Sequence, residues 1–372
     1  MKLLTVTHFY EAHGGGIERV AGHVCRNLAA QGHECEWAAS AADPAPVDPA
    51  ITAVPLRCVN PTERLTGLPM PIPGPAGLRA LSRAIGRADV VIVHDALYCT
   101  SIAAMMLARA KSVPVILIQH IAAIEFPSAA MRKVMALANY SVTRPMLGAA
   151  DQVVFISDTV RRAFAQTAMK REARLVFNGV DGAAFHRGPA CRAAFGLPEV
   201  GRVAVFVGRF VQKKGLGVIR ALAARHPDIH FAMAGSGPIS PADWGLPNIH
   251  LLGTLKPADI GELFRAADML LLPSVGEGYP LVIQEAMACG LPVICGTESA
   301  SADPAAARWL EGERIDLGDP EGTAHRISPL LDRPPPTAEE RGDMAAYAGA
   351  TYSWPGMAAR IAEIAGEISS PR

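Results

Sequence analysis

Short runs of aliphatic residues alternate with segments of helical periodicity almost from end to end of the chain, and the alternation occurs in two series. Uninterrupted Val, Ile and Leu are typical of parallel strands that helices cover on both faces. The first series predicts strands in the segments 2–9, 88–94, 113–120 and 151–157. The second series predicts strands in 201–210, 227–237, 248–255, 267–274 and 291–296. Two such series predict two doubly wound α/β domains.

The break between the two series lies around 181–199, where the apolar pattern stops. We therefore predict an N-terminal domain over 1–180, a linker over 181–200 and a C-terminal domain over 201–352. A last helix is predicted over 353–372. In doubly wound sheets, ligands bind beyond the carboxyl ends of the strands, so the loops after the predicted strands are the places to look for a site.

The composition of the chain excludes some classes of protein. The 372 residues include 35 Lys and Arg and 35 Asp and Glu, a balance that argues against a dedicated nucleic-acid-binding protein. The seven cysteines show no spacing that suits zinc, and we expect buried free thiols in a reducing cytosol. We find no signal-peptide pattern and no apolar run long enough to span a membrane. The sequence thus predicts a cytoplasmic protein that is soluble or at most peripheral.

The segment 274–296, SVGEGYPLVIQEAMACGLPVICG, contains a predicted helix with clear limits. Pro280 suits the first turn of a helix, where its missing N–H costs nothing, and Gly290 suits the position after the helix end. We predict a helix over about 280–289. Its first turn would present free N–H groups, which form a site for an anion such as a diphosphate.

Two glutamates, Glu277 and Glu285, lie on either side of this predicted helix start. The helical rise places their carboxyl groups roughly 8–12 Å apart, which is wider than the roughly 5 Å of a retaining glycosidase pair. An inverting hydrolase tolerates the wider distance, so hydrolysis stays open. Carboxylate, phosphate-binding helix end and carboxylate together have the layout of a nucleotide-sugar site. The alternative is that both glutamates are ordinary solvated residues.

The segment 207–216, VGRFVQKKGL, places Arg209 and Lys214 in the loop after a predicted strand. Arg binds a diphosphate through paired hydrogen bonds, and Lys acts on it as a point charge. Lone cations in loops are more often simply solvated. Lys213, next to Lys214, leaves the register open.

Three consecutive glycines, 14–16, open the first predicted helix and would let a phosphate or sugar approach the backbone closely. They do not form the G-x-G-x-x-G pattern, so a dinucleotide site is not predicted. His94 and His120 each end a predicted strand, at the sheet edge where ligands bind. Each could equally be an imidazole at the edge of the core. No Cys or carboxylate stands at metal-ligand spacing, so no metal site is predicted.

Taken together, these segments resemble the retaining nucleotide-sugar glycosyltransferases of the GT-B fold, the family 4-like or group 1 glycosyl transferases. The likeness extends over nearly the whole chain, through GGIERV, FISDTVRRAF, FNGVDGAAF, VGRFVQKKG, AGSGP, EGYPLVIQEAMACGLPVI and YSWPGMAARI. The Glu-x7-Glu segment is the most specific of these. The resemblance implies two Rossmann-like domains that face each other across a cleft, with the acceptor in the first and the donor in the second. The last helix, 353–372, would cross back to the N-terminal domain.

The resemblance also implies a role for each matching residue. Glu277 would contact the hydroxyls of the donor sugar, and Glu285 the hydroxyls of the ribose. Arg209 and Lys214 would neutralise the diphosphate and stabilise the departing nucleoside diphosphate, with no cofactor and no required metal. His120 would lie near the anomeric centre. The remaining donor-binding positions that the resemblance implies are Gly15, Gly16, Gly278, Tyr279, Pro280 and Leu281.

The implied reaction is the transfer of a sugar, with retention, from a UDP-, GDP- or ADP-linked donor to a glycan, glycolipid or lipid-linked acceptor. Such transfers build cell-surface polysaccharides and glycoconjugates. The apolar segment 126–150 carries Arg132, Lys133 and Arg144 and no acidic residue, and would contact anionic lipid at the inner face of the plasma membrane. A buried helix pair with solvated charges is the alternative.

The sequence departs from the family pattern in the segment 296–318, which keeps little of the usual Gly-rich stretch, so Glu298 is not assigned. A nucleotide-sugar epimerase or hydrolase on the same fold is an alternative function, but it needs a further base or water site that the sequence does not place. A non-catalytic nucleotide-sugar-binding protein is another. The presence of the full set of implied residues disfavours that reading: Arg209, Lys214, Glu277, Glu285 and His120.

Overall fold

The computed structural model describes residues 1–61, 70–122 and 129–369, and the chain folds into two compact units. The first unit is Met1–Gly179 together with Trp354–Arg372, and the second is Val180–Ser353. The chain therefore passes from one unit to the other twice. The segment 181–200, which the sequence predicts as a linker, lies within the second unit.

The first unit is built on a parallel sheet. Its strands are β1 (Lys2–Val6), β2 (Glu34–Ser40), β3 (Ile51–Leu56), β4 (Cys58–Val59), β5 (Ile72–Pro73), β6 (Val90–His94), β7 (Val115–Gln119), β8 (Gln152–Phe155) and β9 (Arg174–Leu175). Seven of them form one sheet in the order β3-β2-β1-β6-β7-β8-β9, and every pairing in it is parallel. The short β4 and β5 form a separate antiparallel pair.

Helices connect the strands of the first unit: α1 (Gly16–Ala30), α2 (Pro75–Ile85), α3 (Cys99–Ala110), α4 (Ala129–Ala138), α5 (Arg144–Ala149) and α6 (Asp158–Ala163). All residues of β6 and β7 are buried, which explains why their sequences contain no solvent-facing alternation. α1 ends close to Gly32, whose φ of +87° suits glycine.

The second unit repeats the design. Its strands are β10 (Arg202–Val207), β11 (Ile229–Ala234), β12 (Ile249–Gly253), β13 (Met269–Leu272), β14 (Val293–Gly296) and β15 (Leu310–Glu313), in the parallel order β12-β11-β10-β13-β14-β15. Its helices are α7 (Leu216–Arg225), α8 (Pro257–Ala266), α9 (Leu281–Ala288), α10 (Thr297–Ala300), α11 (Pro320–Leu331) and α12 (Ala338–Thr351). The prediction of two doubly wound α/β domains is confirmed.

The last helix, α13 (Trp354–Ser369), belongs to the first unit and packs against α1. The Trp354 ring stacks on His23 with 4.3 Å between ring centroids. The Gln31 side-chain amide donates to the Pro355 carbonyl at 2.9 Å. The apolar side chains of α13 that are fully or almost fully buried include Met357, Ile361 and Ile364.

The strand orders place a topological switch point in each sheet. In the first, β1 lies between β2 and β6; in the second, β10 lies between β11 and β13. Loops diverge to opposite faces at such points, and the crevice beyond the carboxyl ends of the strands is where ligands bind in open α/β sheets. The loops after β1 and β6, and after β10 and β13, are therefore the candidate sites.

All seven cysteines are free thiols, but they are not all buried as the sequence predicted. Four of them are buried, whereas Cys191 is exposed. In the described part of the chain, no helix combines the length and apolar character needed to cross a bilayer.

Candidate functional site

In the second unit, the loop after β10 carries Arg209 and ends in a short 3-10 turn, Gln212–Lys214. Gly215 follows this turn with φ +73°, and a side chain there would collide with the carbonyl of Pro273 at the end of β13. Glycine at 215 thus lets the backbone after β10 lie directly against the backbone after β13.

This close approach joins Lys214 to Glu277, although they are far apart in sequence. The Lys214 ammonium lies 2.5 Å from Glu277 Oε1, and both side chains are about 15% exposed. The Val275 N–H donates to the Lys213 carbonyl at 3.0 Å, which ties the two loops together through the backbone. Of the two adjacent lysines, Lys214 is therefore the one that faces Glu277.

The same loop concentrates positive charge. The side chains of Arg209, before the turn, and of Lys213, within it, are exposed. Although Lys213 is exposed overall, protein atoms around its ammonium partly desolvate it and lower its pKa; Glu277 opposes this effect, while Lys214 and Arg209 add to it. Three cations beside one carboxylate make an electropositive loop that suits an anionic ligand.

A glycine pair after β11 supports the Arg209 loop. A side chain at Gly235 would collide with the Gly208 carbonyl, and one at Gly237 would collide with the Phe210 backbone. The Phe210 N–H donates to the Ser236 carbonyl at 2.8 Å. The AGSG segment thus packs against the backbone that carries Arg209, which gives its glycines a structural reason.

The helix predicted over about 280–289 is α9, and it begins one residue later than predicted. Pro280 is the residue before the helix, with ψ 127°, and Gly290 follows its end with φ +71°. No side chain caps the first turn of α9 at Pro280. Glu285 lies inside α9 and is buried.

Two further predicted donor-binding residues, Gly278 and Tyr279, are buried in the loop before α9, and Leu281 is the first residue of the helix. The Tyr279 hydroxyl lies 2.9 Å from that of Tyr352, so its side chain is engaged inside the protein. Two other buried polar side chains here, Ser274 and Gln284, have no hydrogen-bond partner among the described residues. Such groups are rare in folded proteins, and a bound ligand or water is one explanation for them.

In the first unit, His120 follows β7 and is almost fully buried. Its Nε2 lies 2.9 Å from Nδ1 of His94, the last residue of β6. Burial lowers the pKa of His120 to about 3 and that of His94 well below the usual value, so both imidazoles are neutral. One ring nitrogen of the pair donates and the other accepts, so His94 holds the orientation of the His120 ring.

Next to this pair is a buried contact between a histidine and a glutamate that the sequence reasoning missed. His8, just beyond β1, lies 2.8 Å from Glu18 in the first turn of α1, and both are buried. Burial opposes ionisation of Glu18, but its hydrogen bond to His8 and the charge of His8 lower its pKa overall. The His8 ring also stacks on Tyr98 with 3.6 Å between ring centroids. A histidine just beyond the first strand and an acidic residue after a Gly-rich turn were the available signals.

Asp95 was also missed. It is buried directly after β6 with φ +59°, a conformation that non-glycine residues rarely adopt. Its Oδ1 accepts the backbone N–H of His120 at 3.1 Å, and its Oδ2 has no hydrogen-bond partner within the part of the chain that the structure describes. Burial raises the pKa of Asp95 to about 7. Unusual backbone and unpaired buried polar atoms together mark the carboxyl edge of β1, β6 and β7 as a functional surface.

The predicted glycines at the start of α1 lie beside this polar cluster. Gly15 precedes the helix, and a side chain there would collide with the Glu18 carboxylate. The Glu18 side chain thus occupies space at the helix start that was predicted for a ligand. The predicted residues fall into two groups: His120, Gly15 and Gly16 in the first unit, and the others in the second. Within the described residues, no three potential metal-ligating side chains come together.

Two family models match the chain. The model described as Glycosyltransferase Family 4 matches residues 14–183, and the model described as Glycosyl transferases group 1 matches residues 201–333. Together they cover more than four fifths of the chain. The chain belongs to this family of glycosyltransferases. The resemblance seen in the sequence is confirmed.

Curated proteins that are similar in sequence match part of this chain. A D-inositol 3-phosphate glycosyltransferase of Mycolicibacterium gilvum is 34% identical over 197 residues, which are 48% of this chain and 43% of the relative. The protein of the same description from Mycolicibacterium vanbaalenii is 31% identical over 235 residues, 56% of this chain and 51% of the relative. The chain spans about half the length of the curated relatives it matches.

Solved structures match the family member over its whole length. Sucrose-phosphate synthase from Thermosynechococcus elongatus aligns with a TM-score of 0.75 and 18% identity, over 99% of both chains. HepE from Anabaena, solved in complex with UDP and glucose, aligns with a TM-score of 0.66 and 18% identity, over 98% of this chain and 99% of that chain. At this identity the likeness shows the fold, which is GT-B.

Proposed function

We propose that this family member is a retaining glycosyltransferase that moves a sugar from a nucleotide-diphosphate sugar to a glycan, glycolipid or lipid-linked acceptor. The observation that carries the proposal is the Lys214–Glu277 pair, held by two loops at the β10–β13 switch point inside the segment that the group 1 model matches. The UDP and glucose in the HepE structure are consistent with a nucleotide-sugar donor.

Donor binding would change the partners of this pair. The Lys214 ammonium would bind the diphosphate instead of Glu277, and Glu277 would then accept hydrogen bonds from the sugar hydroxyls. Arg209, which is exposed in the same loop, would bind the phosphates through its planar guanidinium. As the bond from the anomeric carbon to the phosphate oxygen breaks, these cations would stabilise the negative charge that develops on the leaving group.

The start of α9 supplies the rest of the donor site. The first turn of α9 has no side-chain cap at Pro280, which leaves backbone N–H groups for a phosphate oxygen. Glu285, one turn further on, would accept hydrogen bonds from the hydroxyls of the ribose. We propose that these groups replace a metal ion in neutralising the diphosphate, so addition of EDTA is expected to leave turnover unchanged.

The polar cluster of the first unit is proposed to serve the sugar and the acceptor. His120 would lie near the anomeric centre, with its ring held by His94. Retention of configuration, a route through cell-surface glycoconjugate synthesis and a cytoplasmic location are parts of this proposal.

Donor screening and product analysis test the proposal. The protein is incubated with UDP-, GDP- and ADP-sugars and candidate acceptors, and the anomeric configuration of the product is read by NMR. The expected product is a glycoside with the configuration of the donor. Release of free sugar alone would favour a hydrolase, and a changed sugar still linked to the nucleotide would favour an epimerase.

The helix α4 supports a membrane-facing role for part of the predicted segment 126–150. In α4, Val134 and Leu137 are 57% and 64% exposed, and Tyr140, in the π-helical turn Asn139–Thr143 that follows, is 71% exposed. The three recur at helical spacing, and Lys133 is exposed beside them. Residues 126–128 and the side chains of 129–132 lie outside what the structure describes. An exposed apolar stripe with a flanking cation is suited to the surface of an anionic bilayer.

Vesicle flotation tests this part of the proposal. The protein is expected to float with phosphatidylglycerol-containing vesicles at low salt, and the double variant Val134→Ser with Leu137→Ser is expected to remain in the dense fraction. Val200→Ser is the control, since Val200 is 83% exposed but belongs to the second unit. Absence of flotation by the wild-type protein would remove the membrane from the account.

A further inference from the structure

Three tyrosines and one aspartate form a hydrogen-bonded group beside the loop that carries Glu277. We call Tyr279, Tyr347, Tyr352 and Asp303 the tyrosine network. The hydroxyls of Tyr352 and Tyr347 both donate to Asp303 Oδ2 at 2.7 Å. The hydroxyl of Tyr279 lies 2.9 Å from that of Tyr352. The side chains of Tyr279, Tyr352 and Asp303 are all at most 3% exposed.

The direction of these hydrogen bonds follows from the number of protons. A phenol has one proton to donate, and Tyr352 directs its proton to the Asp303 carboxylate. Tyr279 must therefore donate to Tyr352. The Tyr279 hydroxyl also lies 3.8 Å from the Met287 sulfur, a longer contact to a weaker acceptor. The network thus runs from Tyr279 through Tyr352 to Asp303.

The four residues come from separate parts of the second unit. Tyr279 lies two residues after Glu277, in the loop between β13 and α9. Asp303 follows α10, and its Oδ1 accepts the Ala305 N–H at 3.0 Å, which fixes the carboxylate. Tyr352 follows α12, and its carbonyl accepts the Val180 N–H at 3.2 Å. The loop before α9 is thereby fastened to two segments that are distant in sequence.

The hydroxyls of the tyrosine network stay protonated across ordinary pH. Burial raises the pKa values of Tyr279 and Tyr352 far above the usual range, and burial together with Asp303 raises that of Tyr347 to about 12. All three hydroxyls therefore keep their protons. A hydroxyl that loses its acceptor inside the protein costs more than the bond itself, because it can no longer reach water.

We propose that Tyr352 and Asp303 are positioning residues for the donor: they hold Tyr279, and through it the backbone that presents Glu277 to Lys214. The identity of the ligand as a nucleotide sugar rests on the proposed function. The positioning of the loop does not rest on the proposed function, because it is a property of the protein without ligand.

Tyr347 provides a matched control for this inference. It donates to the same Asp303 oxygen at the same distance as Tyr352, whereas it is the Tyr352 hydroxyl that lies 2.9 Å from the Tyr279 hydroxyl. Tyr352→Phe keeps the ring, whose edge-on packing against Tyr279 has 5.9 Å between centroids, and removes the acceptor of the Tyr279 proton. Tyr347→Phe removes one donor to Asp303 and leaves the path from Tyr279 to Asp303 intact.

The experiment measures amide hydrogen exchange in 274–280 without ligand, and then the dissociation constant of UDP by calorimetry. Tyr352→Phe is expected to speed exchange in this loop and to weaken UDP binding by about 5- to 10-fold, the effect of one buried hydrogen bond. Tyr347→Phe is expected to change both by less than about twofold. Tyr279→Phe, which removes the donor, is expected to behave like Tyr352→Phe and serves if Tyr352→Phe does not fold.

The outcomes separate this inference from the proposed function. Equal effects of Tyr352→Phe and Tyr347→Phe on loop exchange would overturn the inference, as would an unchanged loop in both Tyr352→Phe and Tyr279→Phe. Faster exchange in the Tyr352→Phe loop, with no binding of UDP by the wild-type protein, would uphold the positioning role and count against a UDP-linked donor.

Discussion

Lys214 and Glu277 are the two side chains on which the account of donor binding depends. The sequence identified both by residue type and by position after predicted strands, but it left Lys213 as an alternative. The register is decided by the backbone bond from Val275 to Lys213 and by Gly215, which lets the loops after β10 and β13 touch. Those are contacts between segments about sixty positions apart, and no local pattern contains them.

Removing the charge of Glu277 tests its role. Glu277→Gln keeps the shape of the side chain but leaves Lys214 without its carboxylate partner and weakens acceptance of sugar hydroxyls. We expect kcat/KM for the donor sugar to fall by at least about 100-fold, as for loss of one group that acts on the transition state. Glu262→Gln, an exposed glutamate in α8, is the control and should leave kcat/KM unchanged. Near-normal transfer by Glu277→Gln would remove Glu277 from the site.

Asp95 is expected to make the free energy of unfolding depend on pH. Its pKa is raised to about 7 by burial, whereas an unfolded Asp titrates near about 3.9. Between these values the folded protein binds more protons at Asp95 than the unfolded chain, so the contribution of Asp95 to the free energy of unfolding falls as pH rises. His94 and His120 have lowered pKa values and act in the opposite direction, but they are present in both proteins compared.

Urea denaturation of the wild-type protein and of Asp95→Asn, at steps from pH 4 to 8, isolates this contribution. The difference in free energy of unfolding, wild type minus variant, should decline between about pH 4 and 7 and then level off. The exposed Asp332 supplies the control variant Asp332→Asn, which makes the same substitution at the surface. A difference that stays constant across the range would show that Asp95 is ionised in the folded protein.

The residues that sequence reasoning missed share a physical feature. His8, Glu18 and Asp95 act through partners that the chain brings together only at the edge of a sheet. The sequence shows a histidine near the end of one predicted strand and an aspartate directly after another. Most residues in such positions have no special function. The burial of all three, the lack of a hydrogen-bond partner for His8 Nδ1 and Asp95 Oδ2 among the described residues, and the left-handed backbone of Asp95 become visible only in three dimensions.

At the scale of elements, the sequence predicted best where a strand is buried on both faces. β6 and β7 are wholly apolar or nearly so, and the predicted segments contain them. The strands that the sequence missed are β2, β3, β4, β5, β9 and β15. Three of these, β4, β5 and β9, are only two residues long. In the longer ones, ECEWAAS and LEGE carry charges and ITAVPL contains a proline. β3 and β15 lie at sheet edges, where one side faces away from the sheet and polar residues or proline are tolerated.

The packing of the AGSG segment against the Arg209 loop can be tested with one methyl group. Gly237→Ala would drive a side chain into the Phe210 backbone, so we expect a loss of about 1–3 kcal/mol in the free energy of unfolding and weaker nucleotide binding. Gly349→Ala is the control. Gly349 lies in α12 with open space around it, so alanine should stabilise the protein by roughly 0.5–1 kcal/mol. Chemical denaturation measures both; equal stability of Gly237→Ala and the wild type would contradict the packing described.

At the scale of the whole molecule, the first unit is built from two segments of the chain that are separated in sequence by the second unit. The first unit is completed by α13, which comes after the whole of the second unit in sequence. The sequence suggested this return only through the family resemblance, because the apolar face of a terminal helix does not indicate which domain will cover it. The contacts of Trp354 and Pro355 with α1 supply that information.

Two core substitutions test the return of the last helix. Ile361→Ala, in α13, should lower amide protection in Met1–Gly179, whereas Met344→Ala, in α12, should lower it in Val180–Ser353. Each removes a buried side chain, at a cost of about 2–5 kcal/mol. Loss of protection in the second unit from Ile361→Ala, with the first unit unchanged, would show that α13 does not belong to the first unit.

The central claim is that the second unit holds a nucleotide sugar through Lys214 and Glu277, and thermal-shift screening against UDP-, GDP- and ADP-sugars tests it most directly. A ligand at 100 times its Kd stabilises a protein by about 2.7 kcal/mol, which raises Tm by several degrees. We predict that one class of nucleotide sugar raises the Tm of the wild-type protein and of Lys256→Ala, a control at an exposed lysine, but not of Lys214→Ala. No shift with any nucleotide sugar, or the same shift in Lys214→Ala as in the wild type, would contradict the account.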